Sequence, residues 1–450
     1  MGYQQISSYF FYEKRLIFVF KTLKYHYKVK NNYEKKLLMF LFHISKNLYN
    51  VSLYTLRQQY FNNGQISSYF ELNKLLNSNE NFHILNTYAS ICTIRQAYNS
   101  MSLFLNHHNN LPKYLSKKDV YALYTDQVRP IIYRNKKCIK LPLSNLVRTN
   151  KIFITKFNDQ LINEFIKELN VNIIENVYLP IPKFINGKEI KQVRIIPKYK
   201  GEYIELQFSY IKETTELQED NNNNNTLSID VGINNLMTLV TTNNNSYIID
   251  GKKLKSINQF YNKQKAKYQS KLVNSKYSKR LRKLDIRNKN RVDDYINKAV
   301  NQVITISKEN HVGKIVIGYN KGLKQKGVKN NLLTNKEKAK INQSFVRIPL
   351  SKLINKLKYK CEEYNITYAI VNESYTSISS FYDNDELDKI TKYSGKRIKR
   401  GLYLTKNNMK VNADVNAALN ILRKSKPNDD VINHLRDSGL TIPKRLQVSL

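Results

Sequence analysis

Residues 227–240 read LSIDVGINNLMTLV, and their pattern sets the reading of the whole second half of the chain. An apolar run ends at Asp230, Gly232 follows, and a second apolar run begins at Leu236. A strand, a tight turn and a returning strand are the signature of a sheet that opens as a meander. SYIID at 246–250 predicts its third strand. Residues 253–310 then carry two long basic helices, with the turn-like NSKYSKR at 274–280 between them. KIVIGY (314–319) reads as a buried strand, 343–363 as a helix and TYAIVNE (367–373) as a further strand. After an insert at 376–411, the stretch VNADVNAALNILRK (411–424) predicts a closing helix from near Asn412 to about Lys424.

The first half has a different rhythm. Residues 15–30 alternate in β fashion through LIFVFKTLKYHYKV. From about 33 to 108 the apolar residues recur at helical spacing, as in Leu37, Leu38, Phe40, Leu41 and Ile44. Pro112 ends the helical stretch, and short β-like runs follow: CIKLPLS, KFIN, VRIIPKYK and EYIELQFSYIKE. The pattern predicts an α+β and α/β multidomain protein. Its first half is a β-barrel (1–32 and 111–215) interrupted by a helical lobe (33–110). ETTELQEDNNNNNT at 213–226 is polar and of low complexity, so 216–226 is expected to be a linker. The second half, 227–375 and 412–424, has the element order of an RNase H-like fold. The tail 425–450, with Pro427 and Pro443, is expected to be loosely ordered.

Composition narrows the partners. Lys and Arg total 75 against 35 Asp and Glu, a formal charge of +40. An excess of that size spread along a chain calls for a polyanion. Several of the 33 tyrosines lie among lysines, as in TLKYHYKVK (22–30) and NKQKAKYQSK (262–271). Such rings can stack on bases while the lysines meet phosphates. An AT-rich coding bias accounts for the asparagines, but it would enrich Glu as readily as Lys. The three cysteines, Cys92, Cys138 and Cys361, are scattered and suggest a reducing compartment without a disulfide frame. No apolar run has the length of a membrane span, and LIFVF at 16–20 is flanked by charges. No membrane association is expected.

Three lone carboxylates carry the chemistry. Each has an ordinary structural reading: Asp230 as a strand-end turn residue, Asp414 as an acid favouring a helix N-terminus, Glu373 as a solvated strand end. Taken together, they lie on three elements that such a fold sets side by side. Magnesium prefers oxygen ligands and retains waters that phosphate oxygens can replace. A pair of such ions can activate water and steady the leaving oxygen of a phosphodiester. The seven histidines form no HExxH pair, and neither a GxSxG elbow nor a GKS or GKT P-loop occurs.

The strings IDVGINNLMTLV (229–240), RNKNRVDDYINKAVNQVI (287–304), NQSFVRIPLSKLINKLKYK (342–360), ESYTSISSF (373–381), GKRIKRGLY (395–403) and NADVNAALNILRK (412–424) together resemble TnpB. This is the transposon-encoded family of RNA-guided nucleases related to type V CRISPR effectors, and the match covers nearly all of the chain. The resemblance implies a β-barrel wedge domain with an inserted recognition lobe, followed by a RuvC nuclease domain. It implies a guide RNA from the transposon end and double-stranded DNA cut next to a short target-adjacent motif, with RNA pairing reading the remainder. The family's first and last RuvC aspartates map onto Asp230 and Asp414. The second acid departs from the typical place, because Gly318-Tyr319-Asn320 follows the IVIG strand; the sequence resembles a branch that uses the glutamate of ESYTS, Glu373. The four cysteines of the typical zinc ribbon are absent from 376–411, so no zinc is expected and a metal-free loop or hairpin takes its place. The expected metal ligands are Asp230, Glu373 and Asp414, holding Mg²⁺ or Mn²⁺. Expected nucleic-acid contacts are Lys263, Lys267, Arg280, Arg282, Arg287, Lys396, Arg397 and Arg400. A nuclease-dead, RNA-guided DNA-binding repressor of the same descent is the alternative. The expected setting is the prokaryotic cytoplasm, near the nucleoid; the sequence leaves the oligomeric state open.

Overall fold

A computed structural model describes residues 16–107, 110–117, 119–126, 128–169, 174–199, 201–215, 225–273, 277–320, 349–389, 391–399, 401–425, 429–438, 440 and 442–449. The chain is a mixed α/β multidomain protein that divides into two compact units, Leu16–Thr214 and Thr215–Leu450. Among the described residues, no helix is long and apolar enough to cross a membrane.

The first unit opens with strand β1 (Leu16–Tyr27) and continues into α1 (Asn32–Asn63). Asn31 caps α1 by accepting from the Glu34 amide at 2.7 Å, and Gly64 ends it in the left-handed region at φ 68°. Asparagine supplies the missing acceptor and glycine tolerates the αL turn, so both ends are set locally. The helices α2 (Tyr69–Leu76), α3 (Glu80–Ile84) and α4 (Thr87–His107) complete the lobe. Leu37, Leu38, Phe40, Ile44 and Leu48 of α1 are fully buried in a core shared with Ile94, Ala97 and Met101 of α4. Strands β2 (Leu123–Thr125), β3 (Pro130–Tyr133) and β4 (Lys136–Lys140) follow, then short helices α5 (Asn145–Arg148) and α6 (Gln160–Leu169), then β5 (Tyr178–Pro180), β6 (Ile190–Lys198) and β7 (Tyr203–Thr215).

These strands do not close into the expected barrel. They form a four-stranded sheet of order β1-β7-β6-β2 and a separate three-stranded sheet β3-β4-β5. No closed barrel occurs among the described residues. The alternating pattern of most runs was sufficient to predict a strand, but closure depends on how distant strands pair, which alternation does not encode. KFIN also departs from expectation: Lys183–Ile185 is a 3₁₀ turn rather than a strand.

The second unit is built on one six-stranded sheet. Strands β8 (Asn225–Val231), β9 (Asn235–Thr241) and β10 (Ser246–Asp250) form the predicted antiparallel meander. The basic helices α7 (Lys252–Gln269) and α8 (Lys279–Glu309) lead to β11 (Val312–Gly318), which runs parallel to β8. Helix α9 (Leu350–Glu363) begins after Pro349; the expected portion of this helix at 343–348 lies outside the described residues. Strand β12 (Thr367–Val371) then pairs parallel to β11. The apolar faces of β8, β9 and β11 and the inner stripes of α8 and α9 share one core, with Tyr295, Val303, Leu353 and Leu357 at its centre. Parallel strands need crossover connections, and helices in those crossovers cover the sheet.

The insert that follows holds a three-stranded sheet of β13 (Lys396–Lys399), β14 (Leu402–Leu404) and β15 (Lys410–Asn412). The buried Tyr403 donates from its hydroxyl to the Ile378 carbonyl at 2.8 Å. Asp385, also buried, accepts from the Ser380 amide at 2.8 Å, and Asp383 accepts from the Lys406 amide at 2.9 Å. Side-chain acceptors thus order this loop-rich segment. Helix α10 (Ala413–Lys424) packs back on β8 and β9 of the sheet.

The tail differs from expectation. Residues Asp429–Asp437 form helix α11, and Lys444–Leu446 form strand β16, paired parallel to β10 at the sheet edge. The complete order is β12-β11-β8-β9-β10-β16. Ile432 and Leu435 of α11 bury against Leu419 and Leu422 of α10, an apolar payload hidden in a polar stretch. Of the expected linker 216–226, residues 216–224 lie outside the described residues and Asn225 already belongs to β8.

Candidate active site

Asp230 stands near the end of β8, a central strand, with its neighbours Leu227, Ser228 and Ile229 buried. Glu373 follows β12 by two residues. Asp414 lies in the first turn of α10, whose N-cap Asn412 accepts from the amides of Asp414 at 3.0 Å and Val415 at 3.1 Å. Strand end, strand exit and helix start bring the three acids within electrostatic reach. Burial, then the Asp414 and Glu373 carboxylates, push the Asp230 carboxyl up to about 8, while Arg397 and a backbone hydrogen bond at Val231 pull the other way. Burial likewise raises Glu373. A neutral Asp230 at pH 7 is what a desolvated acid among like charges adopts when no cation compensates them.

Asp414 and the loop that bears Glu373 are held by residues to which the sequence reading gave no such role. Asp414 accepts from the Asn235 side-chain amide at 2.6 Å and from the Arg397 guanidinium at 3.3 Å. The loop bearing Glu373 is tied to α10: Asn416 donates to the Ser379 carbonyl at 2.8 Å and accepts from the Phe381 amide at 2.9 Å. Asn420 donates to the carbonyls of Thr376 at 3.0 Å and Ser379 at 2.8 Å, and Lys424 to those of Asn372 at 3.0 Å and Ser374 at 2.6 Å. Asn412, Asn416 and Asn420 recur every four residues in NADVNAALN, a polar stripe inside an apolar helix face; that spacing was the available signal.

Gly318 lies close to Glu373 at the end of β11. Any Cβ there would lie 2.4 Å from Ile421 Cδ1 and 3.3 Å from Glu373 Cβ. A side chain at the end of β11 would therefore have to displace Ile421, and Glu373, two residues past β12, lies alongside it.

The donor set is all oxygen, which suits a hard dication such as Mg²⁺. Among the described residues, no three His, Cys, Asp or Glu side chains converge tightly enough to hold an ion as they stand. Asp414 is engaged instead by Arg397, a cation already resting on the acids, whose side chain is 43% exposed. A cluster that repels itself and has recruited one positive group fits a metal.

The expected nucleic-acid contacts divide. Lys263, Lys267, Arg280 and Arg287 are exposed on α7 and α8, and Arg280 lies 4.5 Å over the Tyr268 ring. Arg282 is half-buried, Lys396 is exposed on β13, and Arg397 belongs to the acid centre. Arg400 lies outside the described residues. A basic cleft in the first unit was not foreseen as a site. It measures about 800 Å³ and is lined by Lys28, Lys30, Arg134, Lys136, Lys137 and Lys183. Tyr133 and Tyr178 stack within it at 3.9 Å, with Lys30 5.3 Å from the Tyr133 centroid.

Residues 207–324 match the family model OrfB_IS605, described as a probable transposase, and residues 351–421 match the Cas12f1-like TNB domain. The chain is TnpB-like. No protein of curated function matches the sequence. A cryo-EM structure of a Cas12f1–sgRNA–target DNA complex aligns with this TnpB-like chain at TM-score 0.51 and 14% identity, covering 87% of this chain and 83% of that one. That likeness concerns the fold. A CRISPR-Cas12f ternary complex aligns at TM-score 0.34 and 15% identity, covering 86% and 80% of the two chains. The mini-RNA-guided endonuclease CRISPR-Cas_phi3 aligns at 0.44 and 12%, covering 91% and 92%.

Proposed function

We propose that this chain is an RNA-guided endonuclease that cuts double-stranded DNA beside a short target-adjacent motif. A single RuvC centre of RNase H-like design would cut with Asp230, Glu373 and Asp414. One observation carries the reading: three acids from three separate elements lie close enough that Asp414 and Glu373 add to burial in pushing the Asp230 carboxyl up to about 8. The same acids would hold Mg²⁺ or Mn²⁺; bound there, the ions would supply an activated water and neutralise charge on the leaving oxygen. Asp230 would have to be ionised to serve as a ligand, so metal binding there would be coupled to loss of its proton. Asn235 and Asn412 fix Asp414, and the asparagines of α10 fix the Glu373 loop. Arg397, which donates to Asp414 at 3.3 Å, would be a charged donor for a phosphate oxygen if a cation took its place on that carboxylate. The exposed cations of α7 and α8 and the basic, tyrosine-lined cleft supply phosphate and stacking contacts for guide RNA from the transposon end and for target DNA.

The test is Glu373→Gln beside Asp230→Ala and Asp414→Ala, with cleavage and guided DNA binding measured in parallel. Cutting should be nearly abolished in all three while binding survives, since the acids face metal rather than the heteroduplex backbone. A solvated strand-end glutamate would instead leave cutting near normal and change stability by no more than about 0.5 kcal/mol. Sequencing of copurified RNA tests the guide: a single structured RNA ending in variable sequence is expected. A nuclease-dead repressor would bind guided DNA without cutting it; the presence of all three acids favours the nuclease.

A further inference from the structure

We propose that Arg445, on the C-terminal edge strand β16, is a positioning residue that orients the amide of Asn235 so that it donates to Asp414. The inference rests on the nuclease reading above, because it concerns the same carboxylate centre. Arg445 pairs with Ile248 across the parallel β10–β16 register, which sets its backbone at the sheet edge. Its guanidinium Nη1 donates to Asn235 Oδ1 at 3.1 Å and to Asp250 Oδ1 at 3.3 Å. Asn235 in turn donates from Nδ2 to Asp414 Oδ2 at 2.6 Å.

The chemistry of the chain of contacts permits one orientation only. Arginine can donate but never accept, and an ionised carboxylate can accept but never donate. The amide between them must therefore turn its oxygen to Arg445 and its nitrogen to Asp414. Asp414 already disfavours the flipped amide, which would aim an oxygen at its carboxylate; Arg445 adds the second constraint by holding the Asn235 oxygen, which fixes the amide from both ends. Asn235 is itself well placed for the task, since it starts β9 and pairs with Asp250 at the bulge that ends β10. Asp250, with a side chain only 15% exposed, is the second anchor for the guanidinium. The backbone there is fixed again by Tyr295, whose hydroxyl donates to the Asp250 carbonyl at 2.6 Å. Arg445 thus reaches the acid centre through one intermediary, and a strand at the far end of the sequence takes part in the geometry of the site. Partners of this indirect kind set the direction and basicity of metal-binding carboxylates.

The test is a double-mutant cycle on the protein with its guide RNA. Arg445→Gln should lower cleavage by about tenfold and weaken Mn²⁺ binding, read by electron paramagnetic resonance, by a similar factor. Guided DNA binding and the melting temperature should stay near wild type, because the Arg445 side chain is 44% exposed. Arg445→Lys should recover part of both losses by restoring a donor. In an Asn235→Ala background, Arg445→Gln should cost less than about twofold more, since its effect passes through the missing amide. An equal loss in both backgrounds overturns the proposal, as does a loss that tracks a fall in melting temperature. If the wild-type complex fails to cut, the nuclease reading fails, and Mn²⁺ binding decides the role of Arg445: weaker binding in Arg445→Gln sustains it, unchanged binding ends it.

Discussion

Asp230 is the residue at which burial and charge meet most sharply, and its titration links stability to the candidate site. Its carboxyl is pushed up from 3.8 to about 8 by burial and by Asp414 and Glu373. Between those values the folded state holds a proton that the unfolded state has released. Stability therefore falls as pH rises through that window and levels off above it, the reverse of a salt-bridged aspartate. Without metal, the melting temperature of the wild type should drop relative to Asp230→Asn between pH 5 and pH 8. Mn²⁺ binding to the wild type should tighten over the same range, because the cation no longer competes with the proton. A melting-temperature difference independent of pH would mean that the three acids do not act on one another. Glu373, raised in the same direction by burial, adds to the trend.

Elements carry these residues to one place, and here sequence and structure part in an instructive way. The meander, the crossover helices and the closing helix were legible because each is a local pattern of period two or 3.6. The three acids proposed for the site could be picked out as lone carboxylates at the ends of such elements. Asn416, Asn420 and Arg445 were not, since their partners lie 35 or more positions away and an asparagine announces nothing about what it will bond. Barrel closure, which is not seen among the described residues, was out of reach for the same reason, strand closure being non-local, and β16 was hidden by a polar tail with two prolines. Helix α10 shows how such residues couple parts of the site. It bears Asp414 at its start and, through Asn416 and Asn420, holds the loop that carries Glu373. Asn416→Ala should leave the buried Phe381 amide without its partner and lower stability by about 1–3 kcal/mol. Cleavage should fall by a larger factor than guided binding. Thermal unfolding and the two assays read this together, and unaltered cutting in a destabilised variant would show that Glu373 is placed by something other than α10.

Charge is the property of the whole molecule that decides its partners. With 75 cationic side chains against 35 acidic ones, self-repulsion opposes the compact state until a polyanion neutralises it. The cations are distributed: Lys263, Lys267, Arg280 and Arg287 are exposed on α7 and α8, and six more line the cleft of the first unit. Distributed contacts make affinity depend on counterion release rather than on any one pair. The logarithm of the RNA-binding constant should fall linearly and steeply with the logarithm of salt concentration, by about 0.7–0.9 for each phosphate neutralised, depending on whether the bound RNA is single- or double-stranded. Lys263→Ala or Arg280→Ala should each weaken binding modestly and flatten that slope by about one contact's share. Arg280→Ala should cost the more of the two, because it also removes a guanidinium stacked on Tyr268 and so loosens that ring. A salt titration with filter binding or fluorescence anisotropy reads both quantities. A flat salt response in the wild type would assign the +40 charge to some role other than holding RNA.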